Sequence, residues 1–274
     1  HPPSWIKFRQ CFRFEEDKGL NRGLIGRKYS GPAVMINPEW MQEYDEVVGD
    51  KGSLIFPVAL VKELFAGFME DPDFSANVGR MVHGEQLMRF HAPLAPWDLV
   101  APRAEILAIE DKASGQILNV GQKIMREGEV VVELESRLFF RGEEDAPKKG
   151  EKKAPKPEVD RGAPSSSSST TIADDLPMRY SGPSGDDNPI HTDLDFAKSV
   201  GFKNVILQGL CTMAVSAGNL PKDLKEISVR FTKPVLPGDT LTTSIWENGN
   251  SMAFEVKNQN GDKVISNGTA LLQG

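Results

Sequence analysis

Arg89-Phe90-His91-Ala92-Pro93-Leu94-Ala95-Pro96-Trp97-Asp98 aligns without gaps with Arg230-Phe231-Thr232-Lys233-Pro234-Val235-Leu236-Pro237-Gly238-Asp239, at a constant offset of 141. Arg, Phe, both prolines and Asp coincide. After each copy comes a stretch of strand-like alternation, 100–109 in the first and 241–246 in the second. Further strands are expected at 116–126, 130–141, 252–258 and 264–272, with Gly128-Glu129 and Asn260-Gly261-Asp262 as hairpin turns. One helical stretch precedes each copy. Residues 56–69 put Val58, Val61, Leu64, Phe65 and Phe68 on one apolar face, and a second helix begins near Gln208 and runs through Leu210, Met213, Ala214 and Ala217. Each half is therefore a helix plus a run of antiparallel strands, an α+β unit repeated.

Between the halves the composition changes abruptly. Residues 143–160 are a Lys/Glu/Pro tract, and 165–171 are an unbroken run of Ser and Thr. Such a stretch has almost nothing apolar to offset its ordering entropy, so 143–173 is expected to be a flexible linker. It divides the chain into 1–142 and 174–274. The alternative is a long surface loop inside one domain, which compact domains seldom contain.

The net charge of −7 over 274 residues argues against a nucleic-acid binder, because no basic surplus is available to neutralise phosphates. No apolar run reaches the roughly 18–20 residues of a membrane span. The two cysteines, Cys11 and Cys211, give no sign of a disulfide framework. Leu271-Leu272-Gln273-Gly274 carries no recognisable targeting tripeptide, the start at His1 supports no reading about targeting, and both the cytoplasm and the peroxisome suit the chain.

Four histidines are present, His1, His83, His91 and His191, and His191 has the most suggestive company. It closes the segment Gly185-Asp186-Asp187-Asn188-Pro189-Ile190-His191. Pro189 disfavours helical geometry at Asn188, and Gly185 frees the backbone to turn sharply. A carboxylate and an imidazole on one rigid loop can share a water molecule, which is what hydration of a conjugated double bond requires. Spacing alone leaves a second reading open: an Asx-type turn followed by a helix cap at Thr192 or Asp193, with His191 incidental. A metal site is disfavoured, because short acids stand beside one histidine without a second.

The stretch from Tyr180 to His191, followed by Ile206-Leu207-Gln208-Gly209-Leu210-Cys211-Thr212, resembles the R-specific enoyl-CoA hydratase motif of the MaoC-like family, where the loop reads Gly-Asp-x-Asn-Pro-(Leu/Ile)-His. The segment from Val82-His83-Gly84-Glu85-Gln86 to Asp98 is similar to the non-catalytic N-terminal half of two-domain hydratases. The resemblance implies a double hot-dog fold, each half a long central helix wrapped by a curved antiparallel β-sheet. It also implies that Asp186 and His191 activate water and shuttle protons, that Asn188 supports them, and that the backbone N–H of Gly209 polarises the thioester carbonyl. A helix N-terminus offers unpaired donors where negative charge develops. The implied substrate is a coenzyme A or acyl-carrier-protein thioester, with no cofactor or metal.

This chain has Gln208 where family members often carry His, and its first half lacks the loop: Met35-Ile36-Asn37-Pro38-Glu39-Trp40 has Asn-Pro without the acid or the histidine. The first half is therefore expected to be non-catalytic. His83 is expected to be structural, at a place matching Gln208 in the second half, and His91 to lie on a strand at the surface. Cys211 reads as a small core residue. The acidic start Glu15-Glu16-Asp17 reads as a solvated face. Lys222, Lys225 and Lys233 are candidates to meet coenzyme A phosphates. A thioesterase and a non-enzymatic acyl-binding module remain the alternatives, and a homodimer is possible because outer sheet edges stay open.

Overall fold

A computed structural model of the chain describes residues 19–49, 54–142 and 160–274. His1, Cys11, the acidic start and the Lys/Glu/Pro tract up to residue 159 lie outside them.

The N-terminal half opens with two short strands, β1 (Lys28–Ser30) and β2 (Val34–Met35), and helix α1 (Pro38–Val48). Asn37 caps α1 by accepting from the Glu39 N–H, with Pro38 at the first helical position, where its missing donor costs nothing. Two helices follow, α2 (Pro57–Leu60) and α3 (Lys62–Glu70). The expected single helix over 56–69 is thus broken at Val61 (φ −99°, ψ 0°). Four long strands complete the half: β3 (Met81–Phe90), β4 (Leu99–Lys112), β5 (Gly115–Arg126) and β6 (Glu129–Arg141). Glu127 and Gly128 form the two-residue turn between Arg126 and Glu129, both at positive φ. That pair of dihedrals matches a type I′ hairpin and moves the expected turn back by one residue.

The C-terminal half comprises β7 (Ser166–Thr171), α4 (Leu176–Ser184), α5 (Pro189–Thr192), α6 (Leu194–Ser199), α7 (Gly209–Ala217), β8 (Leu224–Phe231), β9 (Thr240–Asn248), β10 (Ser251–Lys257) and β11 (Lys263–Leu272). β7 corrects the expectation of linker over 165–171. The strand pairs antiparallel with β9 from Ser166↔Ile245 to Thr171↔Thr240. Its side chains need no core, because hydroxyls meet across the pair, Ser169 with Thr242 at 2.9 Å and Thr171 with Thr240 at 3.1 Å.

All the long strands join one antiparallel sheet in the order β1-β4-β5-β6-β3-β8-β11-β10-β9-β7. The order reads the same from both ends once each strand is exchanged for its counterpart. β3 and β8 meet in the middle, where Leu87 faces Ser228. These two residues are related by the offset of 141, so a pseudo-twofold axis passes between them. This is the double hot-dog architecture, with a C-terminal central helix of nine residues. Buried apolar side chains from both halves form one contiguous core.

Candidate active site

The loop carrying Asp186 is fixed from both sides. Helix α4 ends at Gly185, whose φ of +68° is left-handed and whose N–H reaches back to the carbonyls of Ser181 and Gly182. A Cβ at Gly185 would lie 2.0 Å from the Lys62 side chain, so the first half packs directly on this turn. The Ser184 hydroxyl donates to the Tyr180 carbonyl at 2.6 Å and accepts from the Asp186 N–H at 3.1 Å. Asn188 caps α5 by accepting from the Ile190 N–H at 3.2 Å. Asp193 caps α6 through the Phe196 N–H at 3.0 Å. The turn-and-cap reading therefore holds, and the same turn brings His191 towards Asp186.

His191 is buried, and its Nδ1 lies 2.7 Å from the carbonyl oxygen of Ile206. A carbonyl only accepts, so in the neutral imidazole Nδ1 carries the proton and Nε2 presents a lone pair. Nε2 stands 3.8 Å from Asp186 Oδ2. That gap is too long for a direct hydrogen bond. Both atoms are acceptors when Asp186 is ionised, so a molecule with two O–H donors suits the space between them.

Asp186, Asn188, His191 and Gly209 all line one cavity of about 760 Å³. Gly209 begins α7, where N–H groups lack intrahelical acceptors, and the Phe231 ring lies 3.5 Å from where its Cβ would be. Gln208 has a role its sequence position did not reveal. Fully buried, it donates from Nε2 to the carbonyls of Pro177 at 2.9 Å and Asp186 at 3.2 Å, tying the loop to the start of α7.

Several expectations are corrected. His83 does not match Gln208; it lies on β3, against the Phe231 ring and lining the same cavity. Its Nε2 is buried without a partner among the described residues, and burial pushes its pKa down to about 4 despite the nearby charge of Asp186. His91 stands just past β3, exposed, 3.2 Å from Glu133. Of the three candidate lysines, Lys233 lines the cavity and is held by Asp262 at 2.6 Å, whereas Lys222 and Lys225 do not line it. Cys211 is a core residue as expected, buried in α7, and burial raises its thiol well above the ordinary range. No helix among the described residues is long and apolar enough to cross a membrane.

The site sits where two family patterns meet. Residues 157–268 match the pattern described as MaoC like domain, and 54–142 match the MFE-2 hydratase 2 N-terminal domain. Mouse "Peroxisomal multifunctional enzyme type 2" is 32% identical over 222 residues, 77% of this chain and 30% of that protein. The chain thus spans about a third of that relative's length. Dictyostelium discoideum "Probable enoyl-CoA hydratase 2" is 29% identical over 238 residues, 80% of this chain and 79% of that protein. The crystal structure of a MaoC-like dehydratase from Phytophthora capsici superposes with a TM-score of 0.79 at 24% identity, covering 93% of this chain and 98% of that one. With these two domain patterns on its two halves, this chain belongs to the MaoC-like family.

Proposed function

We propose that the chain catalyses reversible hydration of trans-2-enoyl thioesters to (3R)-3-hydroxyacyl thioesters, with one active site, in residues 174–274, and the first half as its non-catalytic partner. The observation that carries this is the 3.8 Å gap between two acceptors, His191 Nε2 and Asp186 Oδ2, on a capped loop in the cavity. A water placed there donates one proton to each, which turns an oxygen lone pair towards the β-carbon. As the C–O bond forms, one of the two groups takes a proton from the water, and the π electrons move through the α-carbon onto the thioester oxygen. The Gly209 N–H at the start of α7 stabilises that enolate. The proton is then delivered to the α-carbon, so atoms and charge balance. Asn188 holds the cap that orients His191, and the substrate brings all remaining chemistry. The 3R configuration and the coenzyme A or acyl-carrier-protein handle follow from the resemblance. Of the two compartments compatible with the sequence, the peroxisome is the one in the mouse relative's name.

The test is purified protein with crotonyl-CoA, followed by the absorbance of the conjugated thioester and by chiral analysis of the product. Hydration to the 3R alcohol is expected. Asp186→Asn and His191→Gln should each lower kcat by about 10²–10⁴, the usual scale of an acid–base group, with an unchanged circular dichroism spectrum. Release of free thiol, or a 3S product, would overturn the reading.

A further inference from the structure

The cavity has a wall that the hydration chemistry does not use. His83 and Gln86 on β3, Gln122 on β5 and Ser136 on β6 all line it. Gln86, Gln122 and Ser136 are at most 4% exposed. Polar side chains buried this deeply in a sheet face are costly unless hydrogen-bonded. The pseudo-twofold symmetry identifies what the same fold places at equivalent positions. His83 and Gln86 correspond through the offset of 141 to Leu224 and Ile227. Ser136 faces Gln86 as Ala270 faces Ile227. Gln122 faces Ala104 as Phe254 faces Ile245. Leu224, Ile227, Ala270 and Phe254 are all buried core. A hot-dog sheet therefore folds with apolar residues at all four positions, and the polar set in the first half answers to something other than folding.

The set is wired together and left incomplete on the cavity side. The Ser136 hydroxyl lies 2.8 Å from the Gln86 carboxamide and 3.0 Å from that of Gln122. One hydroxyl proton serves one acceptor, so one of the two carboxamides presents its NH2 group to Ser136. Gln86 is further engaged with the Leu87 carbonyl at 2.9 Å, whereas the other polar atom of Gln122 has no partner among the described residues. The buried Nε2 of His83 is also unpartnered among the described residues. The row crosses β3, β6 and β5, two strand spacings or about 10 Å, leading from the Asp186 side of the cavity into the first half.

We infer that this row is a subsite for a hydroxyl group on the acyl chain, so that the preferred substrates are hydroxylated acyl thioesters rather than plain alkyl ones. The inference rests on the hydration reading and names its substrate class. Each carboxamide offers a donor and an acceptor, the complement of an alcohol. A plain methylene chain laid along the row would leave Gln122 and His83 desolvated without a partner, the situation in which a hydrogen-bonding site rejects an analogue lacking the group.

The experiment compares kcat/KM for a medium-chain series of ω-hydroxy-trans-2-enoyl-CoA esters with their alkyl counterparts, using the full chain. In an apolar pocket the alkyl member wins at every length, because a buried hydroxyl without a partner is penalised. The subsite predicts the reverse, a preference of about tenfold for the hydroxylated member at one chain length. In Gln122→Leu and Ser136→Ala that ratio should fall to one or below. Both substrates are measured on the same preparation, so the ratio does not depend on how much of a variant folds. Hydration of crotonyl-CoA without hydroxyl preference at any length overturns the subsite and leaves the hydratase reading standing. Failure to hydrate crotonyl-CoA removes that reading and the subsite with it.

Discussion

His83 shows how the same wall bears on stability. Burial lowers its pKa from 6.5 to about 4, only partly offset by the charge of Asp186. Between those values the unfolded chain takes up a proton that the folded one refuses. Stability is therefore full above about pH 6.5 and is lost as pH falls towards 4. The loss from this group is at most about 3 kcal/mol. His83→Leu, which installs the residue type found at Leu224, should flatten that part of the profile in urea unfolding between pH 4.5 and 7; an unchanged slope would mean that His83 is not buried as a neutral ring. Neither this site nor Gln208 was legible in the sequence, for one physical reason. Asp186, Asn188 and His191 lie within one short loop, where proline and glycine chemistry constrain the geometry locally. His83 and Gln208 acquire their roles from partners far away in the chain, at Phe231, Pro177 and Asp186.

At the scale of elements, β4, β5, β6, β9, β10, β11 and the start of α7 followed from alternation and spacing, the central strands β3 and β8 were not among the expected ones, and β7 was misread as linker. A Ser/Thr run has no apolar face, so neither pattern nor composition distinguishes it from linker. What makes it a strand is the edge of β9, together with an anchor ahead of it: Arg161 bonds Glu255 at 2.9 Å and lies over the Trp246 ring, whose Nε1 donates to the Gly162 carbonyl at 3.0 Å. Along an edge strand alternate residues donate inward, so of Ser167→Pro and Ser168→Pro one removes a ladder bond and the other does not. The first should cost about 1–3 kcal/mol in denaturant unfolding and the second much less; two silent prolines would return the segment to linker. The end of α4 gives a second check. Gly185→Ala forces a Cβ into left-handed backbone, about 1–2 kcal/mol, and displaces the Lys62 side chain. It should lower kcat along with stability, because Asp186 is the next residue. In the Lys62→Ala background the backbone penalty persists and only the clash is relieved, so thermal unfolding should show partial recovery.

At the scale of the molecule, each half lacks something that the other supplies. The first half has Asn37-Pro38 capping α1 but no acid or histidine at the positions of Asp186 and His191, and yet α1 braces the Asp186 loop. Trp40 Nε1 donates to the Pro183 carbonyl at 2.7 Å, and the Tyr44 and Tyr180 hydroxyls meet at 3.0 Å in the core. The second half has the loop, but part of its cavity wall lies on β3, β5 and β6. Its own β8 is interior only because β3 covers it, in a register centred on Leu87 and Ser228. Residues 160–274 alone would expose that edge between Leu224 and Phe231, with Ile227 and Val229 on it, and an uncovered strand of this kind templates pairing. The geometry of the lost partner also indicates what replaces it. A second copy of β8 can dock antiparallel about Ser228, turning the pseudo-twofold axis into a true one. Sedimentation of the isolated segment should therefore give a dimer or an aggregate, never a stable monomer. Such a dimer would carry two copies of the Asp186–His191 loop and no polar wall, since Leu224, Ile227, Phe254 and Ala270 would be repeated on both sides. It should retain at most weak crotonyl-CoA hydration and no preference for a hydroxylated chain. A monodisperse, fully active monomer would show that the first half supplies neither the brace nor the wall.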